Sequence, residues 1–237
     1  MEKLITYENL RNFAYCNAGI CEGKIKGIVL DFMGLGFASM FDEDTELGIF
    51  YAQKGILYVL PYNNPWSWMN RQAVAYTDEI IDVLVEHFGL SHEIPIVSTG
   101  RSMGGLASLV YTAKAKITPV ACVANCPVCD LPYHFTERPD LPRTLYSAFW
   151  HEDGTVEETM QAASPLHLVE AMPNVKYYIF HCDADKAVNK EMHSDRFVEA
   201  MQKKHSVQYH VVHARGHCDL TEEMQELFRA HVLSNIG

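Results

Sequence analysis

Basic residues are scarce in this sequence: 19 Lys and Arg stand against 30 Asp and Glu, a formal charge of −11. No basic stripe is visible, so the electrostatic footprint of a nucleic-acid binder is missing. Acidity of this size favours solubility and says little about substrate. Long apolar runs are missing too, since none approaches the roughly 18 residues of a membrane-spanning helix. The opening stretch mixes Glu2, Lys3, Glu8 and Arg11 with short apolar pieces. It lacks the basic start, apolar run and small-residue cleavage site of a signal peptide. Repeats, low-complexity tracts and long linkers are absent. Cysteines number seven, at 16, 21, 122, 126, 129, 182 and 218. In a chain this long they read as reduced thiols and not as a disulfide framework. These absences predict a soluble cytoplasmic protein without nucleic-acid or membrane partners.

What is present is ordinary globular composition, 48% apolar and 21% charged over 237 residues. A single domain of this size buries enough surface to hold a core without staples. Strand-length apolar runs alternate with helix-period segments. The runs are Ile25 to Phe32, Ile56 to Pro61, Ile94 to Ser98, Thr118 to Ala124, Lys176 to Cys182 and Val207 to His213, with Arg11 to Cys16 as an antiparallel edge strand. Between them lie helices. One is expected to start at Asn64-Pro65, a capping residue followed by proline at the first helical position, and to end at Gly89. Others cover Met103 to Ala115, Asn189 to Lys203 and Leu220 to Leu233. Such alternation predicts an α/β fold, a mostly parallel sheet with helices on both faces. One excursion, 127–170, rich in proline and aromatics, reads as a lid-like insertion or a plain surface connection within a single domain spanning 1–237.

The most informative stretch is Ile94 to Ala107, where an apolar strand runs straight into Gly100-Arg101-Ser102-Met103-Gly104 and then a small-residue helix. G-x-S-x-G alone is a common pattern. In a strand-turn-helix context it describes a serine held on a strained turn, with glycines two residues either side because larger side chains would collide. The helix N-terminus behind it offers free N–H groups, and the Met103 N–H points where an oxyanion would form. A structural turn with a solvated serine is the plainer reading. A phosphate-binding loop is excluded by the missing lysine and spacing.

From these residues the chain resembles the α/β-hydrolase family, in particular its small esterases and the catalytic domains of prolyl-oligopeptidase-like peptidases, from about Ile25 onward. That resemblance implies a triad in the chain order serine, acid, histidine. The late strand ends in His181-Cys182-Asp183-Ala184-Asp185-Lys186-Ala187-Val188, which is similar to the family's H-G-x-x-D-x-x-V with Cys182 in place of glycine. The matching acid is Asp185, with Asp183 its competitor. After the last strand comes Gly216-His217, where the family carries its base, and His213 is the rival. Phe32-Met33-Gly34-Leu35-Gly36 resembles F-H-G-x-G, which makes the Leu35 N–H the second oxyanion donor, or Met33 in a shifted register.

Tyr62, Trp66 and Trp68 follow the next strand at the carboxyl edge, where ligands bind in open parallel sheets, and are candidates for a substrate pocket. Tyr133, Phe135, Phe149 and Trp150 are candidates to close over it. The spacing C-x3-C-x2-C at Cys122, Cys126 and Cys129 invites a metal reading, but a structural zinc needs four ligands, and buried thiols explain the pattern better. Cys182 and Cys218 flank the proposed acid and base. The expectation is therefore a serine hydrolase without metal or cofactor, with Ser102, Asp185 and His217 as catalytic residues and a small-molecule ester as substrate. A peptidase or amidase is the alternative, suggested by Ser164-Pro165-Leu166. A non-catalytic ligand-binding member of the fold is a third reading.

Overall fold

A computed structural model describes residues 4–237. Seven strands form one sheet: β1 (Ala14–Cys16), β2 (Gly27–Phe32), β3 (Ile56–Pro61), β4 (Ile96–Arg101), β5 (Ala121–Asn125), β6 (Lys176–Cys182) and β7 (Val207–Val212). Their order across the sheet is β1-β3-β2-β4-β5-β6-β7. Only β1 runs antiparallel, on the edge beside β3, and the other neighbours pair in parallel. The expected mostly parallel sheet is what forms. β3 and β5 are buried along their whole length, as continuous apolar runs flanked by strands on both sides must be.

Alternate residues of β2 face opposite layers, following the strand period of two. Ile28 and Leu30 pack under α2 (Arg71–His87) and α3 (Met103–Lys114), against Ile80, Leu84, Leu106 and Val110. Val29 faces the other way, toward Tyr51 of α1 (Glu46–Ala52) and Val232 of α8 (Glu222–Leu233). The insertion between β5 and β6 holds three short helices, α4 (Leu131–Glu137), α5 (Leu141–Phe149) and α6 (Val156–Ala162). Leu131, Leu145, Phe149 and Met160 join the same core as α2 and α3. A last helix, α7 (Arg196–Met201), follows a wider helical turn at Glu191–Asp195, so the helix expected from Asn189 is shorter and begins irregularly.

The helix expected at Asn64 starts instead at Arg71, capped by the Asn70 side chain, which accepts from the Ala73 N–H. Asn64 does use its side chain, but on a local turn, accepting from the Trp66 N–H at 2.9 Å. Trp68 and Met69 then sit at φ 45° and 50°, a left-handed pair that a continuing helix cannot contain. The other end is as expected: Gly89 at φ 58° terminates α2, and the Leu90 N–H reaches back to the Val85 carbonyl at 2.9 Å.

Candidate active site

The turn between β4 and α3 places Ser102 at φ 59°, ψ −124°, outside the regions an unstrained serine prefers. The glycines beside it are there for steric reasons. A Cβ on Gly100 would lie 2.3 Å from the Gly104 carbonyl oxygen, and one on Gly104 would lie 2.0 Å from the Phe32 carbonyl oxygen. The turn is thus pressed against the end of β2. It is also tied to β5, since the Ser102 N–H donates to the Asn125 carbonyl at 2.9 Å. Met103 opens α3, so its N–H belongs to the first turn, where helical amides have no partner within the helix.

The two aspartates and two histidines sort into two pairs. His217 Nδ1 meets Asp185 Oδ2 at 2.6 Å. His213 Nδ1 meets Asp183 Oδ2 at 2.7 Å, but that histidine side chain is 82% exposed, while the Asp185 carboxylate is fully buried. Asp183 and His213 are therefore a surface pair, and Asp185 and His217 turn inward. Asp185 is anchored further: its Oδ1 accepts from the N–H groups of Ala187 and Val188 at 2.8 and 3.0 Å, and His181 Nε2 stands 3.4 Å from its Oδ2. Burial pushes this carboxyl upward, but hydrogen bonds from His181, His217 and the Val188 N–H outweigh it and hold the group well below the usual carboxylate range. Burial pulls His217 down, yet its hydrogen bonds, first with Asp185 and then with Cys126, raise it to about 9.

Ser102 and His217 border one cavity of about 770 Å³. Met33, Gly34 and Leu35 form one side of it, and Phe37, Phe41 and Trp68 form an apolar wall. Asp31 also lines it, its carboxylate taking the Tyr58 hydroxyl at 2.6 Å, and burial raises its pKa. From the insertion, the residues reaching the cavity are His134 and Arg138. His134 is buried and its Nδ1 donates to the Glu137 carboxylate at 2.6 Å, which also receives His193 Nε2 at 3.0 Å. His193 Nδ1 accepts from the N–H groups of Cys129 and Asp130, so Nε2 carries its proton and donates to Glu137.

Of the expected pocket residues Tyr62, Trp66 and Trp68, the cavity beside Ser102 is lined by Trp68. Trp68 lines the cavity with its Nε1 donating to Thr144 Oγ1 at 3.1 Å. Trp66 is 38% exposed under the Arg143 guanidinium, because the unexpected turn at 64–70 carries it outward. Tyr62 lines a neighbouring cavity of about 300 Å³ together with Met33, Gly34 and Met103, and its hydroxyl accepts from the Phe41 N–H. Phe149 is packed in the core and Trp150 is on the surface, so neither closes over Ser102. His134, Arg138 and Arg101 also line the cavity, and no motif in the sequence marks them. His134 sits on α4 and Arg138 follows its last residue in extended conformation, a segment with no periodic signature in the sequence. Cys122 and Cys129 diverge from Cys126: Cys122 Sγ donates to Ser108 Oγ, and Cys129 Sγ to the Pro127 carbonyl.

A mostly parallel sheet with a serine on a left-handed turn after its central strand, and a carboxylate–histidine pair after the last two, is the α/β-hydrolase architecture, the fold of many serine hydrolases. Residues 74–233 match the model of the prolyl oligopeptidase family, and the chain belongs to that family. Among solved structures it is similar to an S-formylglutathione hydrolase from Agrobacterium tumefaciens, with a TM-score of 0.69 at 15% identity over 94% of this chain and 87% of that one. It is similar to Thermogutta terrifontis esterase 2 in its apo form, with a TM-score of 0.65 at 17% identity over 94% and 89%. It is also similar to a Mycobacterium tuberculosis puromycin-hydrolyzing peptidase, with a TM-score of 0.67 at 18% identity over 91% of this chain and 34% of that one. At such identities the likeness is one of fold. The chain spans about a third of the length of the first peptidases it matches. No curated protein matches it. Among the described residues no helix is long and apolar enough to cross a membrane.

Proposed function

We propose that the protein is a serine hydrolase that cleaves carboxylic esters of small molecules through an acyl-enzyme. The observation that carries this reading is the placement of Ser102, on its strained turn, and the Asp185-held His217 around one cavity. In this reading Ser102 Oγ attacks the substrate carbonyl and His217 Nε2 takes its proton. Asp185 fixes the Nδ1–H tautomer and stabilises the imidazolium. The Met103 N–H receives the oxyanion, and a second donor comes from Met33–Leu35, the strip that runs beside the turn, with Gly34 facing the Arg101 carbonyl. His217 then returns the proton to the leaving alcohol. Water, activated by the same imidazole, releases the acid.

The apolar wall of Phe37, Phe41 and Trp68 favours an acyl or aryl group of modest size. Family membership keeps a second reading open, a peptidase or amidase using the same residues. Free thiols at all seven cysteines suit a reducing compartment, the cytoplasm. The test is a comparison of kcat/KM on nitrophenyl acetate and on an aminoacyl-nitroanilide. Clear preference for the ester supports the proposal. Preference for the anilide replaces it with the peptidase reading, and hydrolysis of neither points to a ligand-binding role.

A further inference from the structure

Two thiols, Cys126 and Cys218, gather beside the candidate base His217 in a way that acyl transfer does not use. Cys218 Sγ lies 3.6 Å from His217 Nε2. The ligand atoms of Cys126, His217 and Cys218 all lie within 4.8 Å of one another. Zinc bonds of about 2.3 Å to sulfur and about 2.05 Å to nitrogen, at a tetrahedral angle, set the S···N edge at about 3.6 Å and the S···S edge at about 3.8 Å. The Cys218–His217 edge already has the length of a tetrahedral site, and the two edges to Cys126 lie within 4.8 Å.

Other features converge on the same point. Cys126 and Cys218 occupy the left-handed region at φ 45° and 59°, where a residue with a Cβ persists only if its surroundings hold it there. Cys126 Sγ accepts the N–H groups of Cys182 and Cys218, both at 3.4 Å, which is the hydrogen bonding that a thiolate ligand requires. His217 Nδ1 is held by Asp185, the carboxylate–histidine arrangement that orients a metal-ligating imidazole and raises its basicity. Cys218 is partly exposed and lines the main cavity, so an ion has a path in. The neighbouring combination of Cys126 with His181 and Asp185 is less suited, because His181 engages Ser194 and Val188, and Asp185 engages two backbone amides.

We propose that Cys126, Cys218 and His217 bind a thiophilic divalent cation of the zinc type, and that loading this site arrests hydrolysis. Binding displaces to solvent the two thiol protons and, at neutral pH, the Nε2 proton of the imidazolium, and it forms two metal–sulfur bonds and one metal–nitrogen bond at Nε2, with water in the fourth position. The Nδ1 proton stays on His217, donated to the Asp185 carboxylate. No oxidant or reductant is needed. The arrest rests on the role proposed for His217; the binding does not.

The full chain, stripped with a chelator and kept in a thiol-free reductant, is titrated with Co2+. One equivalent should bind, with thiolate-to-cobalt charge-transfer absorption and strong tetrahedral ligand-field bands, and Zn2+ should displace it. S102A should behave as wild type. Cys218→Ser should weaken binding, and C126S/C218S should abolish the charge-transfer band. Saturating Zn2+ should slow nitrophenyl acetate hydrolysis about a hundredfold or more, the range for losing a general base. A chelator should restore the rate, and the rate of C126S/C218S should be the same with and without Zn2+. Cobalt binding without a thiolate band, or unchanged in both cysteine variants, overturns the site. A wild type that binds cobalt with the thiolate band but hydrolyses no ester leaves the site standing and overturns only the proposed activity.

Discussion

Gly104→Ala is a small change that the main chain around it leaves no room for. The added Cβ would stand 2.0 Å from the Phe32 carbonyl oxygen, 2.7 Å from the Phe32 carbonyl carbon and 3.0 Å from the Met33 oxygen, all of them main chain. Ordinary contact begins at 3.4 Å, so the two backbones must part by about 1.4 Å, the difference between 3.4 and 2.0. β2 cannot retreat, because it is hydrogen-bonded between β3 and β4 in the middle of the sheet. The first turn of α3 must move, and with it the Met103 N–H and Ser102. Overpacking of this kind costs about 1–3 kcal/mol of stability. Misplacing a reacting group by about 1 Å costs about 10²-fold in rate. Urea unfolding and kcat/KM on nitrophenyl acetate should therefore both fall in G104A. Gly216→Ala is the matched control: it adjoins His217, yet a Cβ there meets nothing within 4 Å. It should stay within about 0.5 kcal/mol of wild type and keep its rate. A G104A variant as stable and active as wild type would show that the turn is not pressed against β2 as described.

Further outcomes follow from the charges. D185N should lower kcat by about 10⁴-fold, because the imidazole loses the partner that fixes its tautomer, and circular dichroism should show the fold retained. With His217 raised to about 9, the base is protonated at neutral pH, so kcat/KM should climb as pH rises through that value in a pH–rate profile. Stability runs the other way. A folded-state pKa above the ordinary 6.5 gives a contribution that is full below 6.5 and lost as pH rises through about 9, as urea midpoints across that window should report. Glu137 has the opposite sign. Burial pushes it up, but hydrogen bonds from His134 and His193 hold it far below the ordinary 4.5, so its contribution is full above 4.5 and lost as pH falls toward its folded value. E137Q should cost about 1–3 kcal/mol in urea unfolding, by leaving a buried histidine donor without its charged acceptor.

The parts of this protein legible in its sequence are those fixed by local sterics and by chain order. Gly100 and Gly104 announce the turn because nothing larger fits, and the strands show as apolar runs because both faces are covered. The choice between Asp183 and Asp185 was different. They are two residues apart, and only the fold shows that the Asp183 N–H extends the β6–β7 pairing to the Val212 carbonyl while its side chain turns out to His213. Asn64-Pro65 carries a helix-start signal that the chain uses for a turn, because nothing in the letters marks Trp68 and Met69 as left-handed. The same turn carries Trp66 to the surface. The cavity wall from His134 and Arg138, and the meeting of Cys126 with Cys218, join segments far apart in the chain, and no spacing rule connects them.

Ser102, His217 and Asp185 acting as one acyl-transfer unit is the claim on which the functional account stands. Labelling with a fluorophosphonate, followed by mass-spectrometric mapping, tests it most directly. One adduct on Ser102 in the wild type, nearly lost in H217A, is the predicted result. An unlabelled Ser102, or labelling at full rate without the imidazole, would contradict it.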